Sequence, residues 1–188
     1  GTVTVAYLRE RHPDDALFVI GESGLHTQLD GADLSTTGDA DAADALVASI
    51  DREFDYGDLR DALWALERDI PFIGTDPDVV IPAAERNVPG SGAVINAIAG
   101  VAEREPDVVL GKPSDPAIEM VRERLPYPPE DCLVVGDRLD TDMALGERAG
   151  MTTALVLSGI ADETDVADAA VSPDYVLEDL GEIDRVLD

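Results

Sequence analysis

Short apolar runs alternate along the chain with longer amphipathic stretches. Leu17-Phe18-Val19-Ile20, Val47-Ala48-Ser49-Ile50 and Ile70 to Ile73 predict strands, and Glu22 to Leu29 a short helix after a turn at Gly21. Leu59, Leu63 and Leu66 recur at helical spacing and predict a helix from Tyr56 to Arg68. Tyr56 and Trp64 on that helix are expected in the core or in an interface. This stretch reads as a small α/β layer. Pro89-Gly90-Ser91-Gly92 is the expected boundary between units, with Ser91 placed to cap a helix whose apolar face is Val94, Ile95, Ile98 and Val101.

Beyond that boundary the alternation becomes regular. Strands are predicted at Val108 to Leu110, Leu133 to Val135, Thr153 to Leu157 and Tyr175 to Leu177. Helices are predicted from Pro116 to Leu125, Leu139 to Ala149, Asp162 to Ala169 and Leu180 to Leu187. Strands that are apolar throughout and separated by helices belong to parallel sheets buried on both faces, joined by right-handed crossovers. Two segments stand apart. Thr2 to Arg11 reads as a helix with no preceding strand to pack on, and the acidic stretch 31–45 reads as a surface excursion.

Composition sharpens this picture. With 45% hydrophobic residues in 188, a folded chain is expected, yet 13 basic against 41 acidic residues give a formal net charge of −28. Self-repulsion of that size needs salt to screen it, so a salt-loving host is expected. The same field excludes nucleic acid as a partner, because phosphate contacts need clustered Lys or Arg, and it is repelled by an acidic membrane surface. The apolar runs are far shorter than the ~20 residues of a membrane span, and no basic region leads into an apolar stretch at the start. The single cysteine, Cys132, sits in an apolar run and reads as a small buried hydrophobe; with no internal disulfide available, the cytosol is the expected compartment.

Lys112 is the only lysine in the chain; every other basic residue is arginine. It follows a predicted strand in Gly111-Lys112-Pro113, where it would project a point positive charge of the kind a phosphoryl group requires. A second predicted strand ends in Gly136-Asp137-Arg138-Leu139-Asp140-Thr141-Asp142. Carboxylates clustered at a strand mouth suit a hard divalent cation, with one or two of them binding directly and water or a substrate phosphate completing the shell. Asp137 is the candidate direct ligand. Asp142 is expected to bind through water or to orient Lys112, and Asp140 reads equally as charge compensation at a helix start.

Gly111-Lys112-Pro113, Val135 to Asp142 and Ala149-Gly150-Met151 together resemble the third and fourth motifs of the haloacid dehalogenase superfamily, in the branch of NagD-like and 4-nitrophenylphosphatase-like enzymes. Val19 to Leu25, Asp51 to Tyr56, Thr75-Asp76-Pro77-Asp78 and Pro89 to Gly92 are similar to segments of the large inserted cap of that branch. The resemblance implies an α/β fold: a Rossmannoid parallel-sheet core, incomplete at its N-terminal side, with an inserted α/β cap. The implied division is a core helix remnant at 1–13, a cap at 14–90 and the core at 91–188.

It further implies a Mg²⁺-dependent phosphomonoester hydrolase acting through an aspartyl-phosphate on a small phosphorylated metabolite. Lys112 would be the catalytic lysine, Asp137 and Asp142 the metal residues, and Gly111, Asp76, Asp78 and Arg138 the substrate-binding positions. A homodimer through the cap is compatible with the resemblance. In that family the nucleophile lies on a strand before the helix that opens this chain, so the nucleophile segment is expected to be missing here. The alternative is a non-catalytic module that binds metal or phosphate esters on a degenerate phosphatase fold. A receiver-type signalling domain is a more distant reading that leaves the cap segments unexplained.

Overall fold

The computed structural model describes residues 2–83 and 85–187. The chain divides into two compact units, Gly1–Gly111 and Lys112–Asp188. The division therefore falls after Gly111, and not at Pro89 to Gly92.

The first unit opens with helix α1 (Thr2–Arg11), strand β1 (Leu17–Ile20), helix α2 (Ser23–Asp30), strand β2 (Thr36–Thr37) and strand β3 (Ala45–Ala48). Helix α3 (Tyr56–Leu66), strand β4 (Phe72–Gly74) and the short strands β5 (Val80–Ile81) and β6 (Val88–Pro89) follow. Helix α4 (Ser91–Ala102) and strand β7 (Val108–Val109) complete it. Five strands form a parallel sheet in the order β2-β1-β3-β4-β7. Side chains alternate across it as the pleat requires. Phe18, Ile20, Leu46, Ala48 and Phe72 pack with Ala62, Ala65, Val94, Ile95 and Ile98 of α3 and α4. Leu17, Ala45, Val47 and Ile73 pack on the other face with Leu8 of α1 and Leu29 of α2.

Several expectations change here. Helix α1 has a sheet to pack on, through the fully buried Leu8, and does not stand apart as a remnant. β7 pairs with β4, so the strand at Val108 belongs to the first sheet although it follows the expected boundary at Pro89 to Gly92. Ser91 is not the cap of α4: Gly90 holds that position, and the Ser91 hydroxyl oxygen instead accepts from the Ile50 N–H at 3.0 Å. Pro89, at the expected boundary, is part of a two-stranded antiparallel ribbon, β5 with β6. Tyr56 is 81% and Trp64 47% exposed, so within this chain neither is core. The Arg60 guanidinium lies over the Trp64 ring at 4.7 Å and shields part of it. Ala62, Ala65 and Leu66 form the buried face of α3, whose start is fixed by a capping box between Asp55 and Asp58.

Phe72 is the largest fully buried side chain. Replacing it with alanine removes a ring from the centre of the packing against α3 and α4. Phe72→Ala is therefore expected to cost about 3–5 kcal/mol, read from the shift of the urea midpoint at constant salt.

The second unit contains helix α5 (Asp115–Arg124), strand β8 (Leu133–Gly136), a π-helical turn (Leu139–Met143), helix α6 (Ala144–Ala149) and strand β9 (Thr152–Val156). Helix α7 (Glu163–Asp168), strand β10 (Tyr175–Leu177) and helix α8 (Asp184–Leu187) close it. Its three strands form a parallel sheet ordered β10-β9-β8. Met143, Leu155 and Ala161 are its buried centre, flanked by Val134, Leu139, Leu157, Val166 and Val171. β8 is an edge strand among the described residues, and Val135 on it is exposed. The predicted last helix is two pieces, a 3-10 turn at Leu180–Glu182 and then α8. Cys132 is half-buried, less enclosed than expected.

Asp162 begins α7 with a capping box to Asp165. Hydrogen bonds from the backbone N–H groups of Asp165 and Thr164 hold its carboxyl below the ordinary aspartate value. Among the described residues no helix is long and apolar enough to cross a membrane.

Candidate active site

In the second unit, the carboxyl end of β8 delivers Asp137 directly after Gly136. The chain then enters the π-helical turn, in which the N–H groups of both Asp142 and Met143 donate to the Arg138 carbonyl at 3.1 Å. Such wide turns inside helices recur at functional sites. Here the turn returns Asp142 against the end of β8. A Cβ on Gly136 would lie 2.5 Å from Asp142 Cγ and 2.6 Å from its Oδ2, so a side chain at 136 would displace the carboxylate. Glycine is required at that point by close approach.

Lys112 meets Asp142 there. Its Nζ donates to Asp142 Oδ1 at 2.5 Å, with the lysine side chain 51% and the aspartate side chain 13% exposed. The carboxylate is the anchored partner, and the ammonium reaches it from solvent with further N–H donors to spare. The turn that carries Lys112 is itself held: the Arg148 guanidinium donates to the Pro113 carbonyl and pairs with Asp115 at 2.5 Å. Ser114 caps α5 through the Ala117 N–H at 3.3 Å, and Pro116 lies in the first turn.

Asp137 is half-buried. Its carbonyl accepts from the Ala161 N–H at 3.0 Å, and its side chain lies against Gly159. Arg138 pairs with Asp140 at 3.3 Å, and Asp140 is largely exposed. The three aspartates thus face different neighbours: Asp142 the lysine, Asp140 an arginine, Asp137 the loop after β9. Among the described residues, no three or more His, Cys, Asp or Glu are grouped as metal ligands.

The first unit holds the other candidates. Asp76 and Asp78 follow β4, and the Asp78 N–H donates to Asp76 Oδ1 at 2.9 Å. The Asp78 carbonyl accepts from the Gly92 N–H at 2.9 Å, and the Thr75 hydroxyl donates to Ser49 Oγ at 2.8 Å. Gly111 closes the back of this loop, where a Cβ would come 2.9 Å from Asp76 Cα and 3.0 Å from Asp76 Oδ2. Gly111 is thereby a packing partner of Asp76. It lies at the end of the first unit, while Lys112 begins the second.

Sequence reasoning found the charged groups but not their supports. Gly136 stood in the sequence only as the end of a predicted strand, and nothing along the chain announced the contact of Gly159 with Asp137, because it joins loops after two neighbouring strands. The Ser49, Thr75 and Ser91 hydroxyl contacts were also missed.

A hydrolase family model described as HAD-hydrolase-like matches residues 109–183. The chain is 30% identical over 185 residues to the sugar-phosphatase AraL of Bacillus subtilis, covering 98% of this chain and 67% of that protein. Among solved structures, the p-nitrophenyl phosphatase from Archaeoglobus fulgidus superposes with a TM-score of 0.89 at 34% identity, covering 98% of this chain and 72% of that one. NagD from E. coli K-12 gives a TM-score of 0.84 at 27% identity, over 96% of this chain and 70% of that one.

Proposed function

The chain belongs to the haloacid dehalogenase superfamily, in its NagD-like, 4-nitrophenylphosphatase-like branch, and from that premise we propose that it hydrolyses phosphomonoesters of small sugars with Mg²⁺ as cofactor. The observation that carries this reading is the Lys112 ammonium held 2.5 Å from Asp142 in the same unit as Asp137. In a hydrolysis of this kind the transferring phosphoryl group is positioned and its charge offset, and little covalent work falls to most of the site. Lys112 offers a compact, multiply donating cation to the phosphoryl oxygens. Asp142 fixes where that cation stands. Arg138, in the same unit, is proposed to contact the organic part of the substrate.

The donor chemistry fits Mg²⁺. Asp137 supplies a hard oxygen donor at a strand end, and Asp142, already committed to Lys112, would act on the metal's outer shell. An ion that takes only one or two protein carboxylates needs no larger acidic group. When bound, it would neutralise phosphoryl oxygen charge.

The attacking carboxylate, and the aspartyl-phosphate formed on it, are proposed to come from a segment outside these 188 residues. Two observations support this. The match to the curated relative covers 67% of that protein's length, and β8 is an apolar parallel strand with one edge unpaired among the described residues. The net charge of −28 supports a salt-loving host and a cytoplasmic setting rich in salt.

Phosphate release from a panel of sugar phosphates and from 4-nitrophenyl phosphate tests the proposal, using the full-length protein in Mg²⁺ and molar KCl. Turnover that a chelator abolishes and Mg²⁺ restores is expected. Binding of phosphate esters without any turnover would instead establish a non-catalytic module.

A further inference from the structure

We propose that Gly159, in the loop that follows β9, is a positioning residue that fixes the side chain of Asp137. This rests on the metal-holding role proposed above for Asp137. A Cβ built on Gly159 would stand 2.6 Å from Asp137 Cγ and closer still to its Cβ and Oδ2; all three nearest atoms belong to that one side chain. Contact with Cβ as well as with the carboxylate matters, because the near end of a side chain cannot rotate away as its tip can.

The loop cannot easily retreat either, since it is tied on both sides of Gly159. The Leu157 N–H donates to the Leu177 carbonyl at 2.9 Å, extending the pairing of β9 with β10, and the Ala161 N–H donates to the Asp137 carbonyl at 3.0 Å. Ala161 is buried with Met143 and Leu155, and the next residue, Asp162, is locked into the capping box of α7. The loop therefore grips the Asp137 main chain with one residue and supports its side chain with another. A methyl group at 159 has to move the carboxylate or break one of these ties.

Direct binding of Mn²⁺ alone, followed by electron paramagnetic resonance in molar KCl, measures this without reference to turnover. Gly159→Ala is expected to raise the Mn²⁺ dissociation constant at least about tenfold, the lower end of what displaced supports of metal ligands cost. Ile160→Ala, on the same loop but with its neighbour's contact intact, is expected to leave it unchanged. Unaltered Mn²⁺ binding in Gly159→Ala, or an equal loss in Ile160→Ala, overturns the proposal. Asp137→Asn separates the metal role of Asp137 from the positioning role of Gly159. If it leaves Mn²⁺ binding intact, the metal role of Asp137 fails; if it weakens binding and Gly159→Ala does not, only the positioning role fails. Should Gly159→Ala not fold, the double variant with Asp137→Gly decides. It is expected to fold because the obstructing side chain is gone, and its failure to fold would overturn the proposal as well.

Discussion

Asp137→Asn is expected to lower kcat for 4-nitrophenyl phosphate by about 10³-fold or more, with Mg²⁺ no longer able to stimulate what remains. The substitution keeps the shape that packs against Gly159 and removes only the charge. In the metal-holding role proposed for Asp137, losing the carboxylate forfeits transition-state charge stabilisation worth several kcal/mol, and each 1.36 kcal/mol is about tenfold in rate. The fold should be indifferent. Asp137 is half-buried and keeps its carbonyl bond from Ala161, so the thermal midpoint is expected to stay within the range of a surface substitution. A matching loss of midpoint and activity would show that the residue is structural and that the metal reading is mistaken. The measurement is a Mg²⁺ titration of the initial rate beside a melting curve of the same preparation.

Lys112→Ala is the second large effect. It is expected to lower kcat/KM by about 10²–10³-fold, in line with the removal of one charge-stabilising donor. The cost in stability is expected to be on the order of 1–3 kcal/mol, because the lysine end of the pair is 51% exposed while the Asp142 carboxylate, 13% exposed, loses its cationic partner. Lys112→Arg is the informative companion. A planar fork cannot place a compact ammonium at the Asp142 oxygen and still present free donors in the same direction. Arginine is therefore expected to recover less than about a tenth of the lost rate. Full recovery would mean that only net charge matters at this position.

Much of the fold was legible because its physical cause is local. Leu17–Ile20 is an uninterrupted apolar run, and the strand occupies those residues. Other boundaries moved for identifiable reasons. β3 runs from Ala45 to Ala48, where its residues pair with Leu17 to Ile20 of β1, and small alanines do not stand out in a hydrophobic pattern. β2, β5 and β6 are two-residue strands, too short to carry any periodicity. The place of Val108 and Val109 was unreadable for a different reason: a parallel strand looks the same whichever sheet it joins, and only its pairing with Ile73 and Gly74 decides. That pairing also moves the division of the chain from Gly90 to Gly111.

The site divides along the same line. Lys112 was conspicuous as the single lysine among arginines, and Asp137 and Asp142 stood out by position at a strand end. Their arrangement was not readable. The approach of Asp142 to Gly136 depends on a π-helical turn, and an ordinary helix from Leu139 would have carried the aspartate elsewhere. The support of Asp137 by Gly159 depends on loops brought together by the pairing of β8 with β9.

Asp137 and the Lys112–Asp142 pair are proposed to form one metal and phosphate site. Anomalous diffraction at the manganese edge, from crystals of the protein grown with Mn²⁺ and phosphate, tests it most directly. The expected result is a peak bonded to an Asp137 carboxylate oxygen, with the phosphate within hydrogen-bond reach of Lys112 Nζ. Occupied manganese elsewhere in the molecule, with none at Asp137, would contradict it.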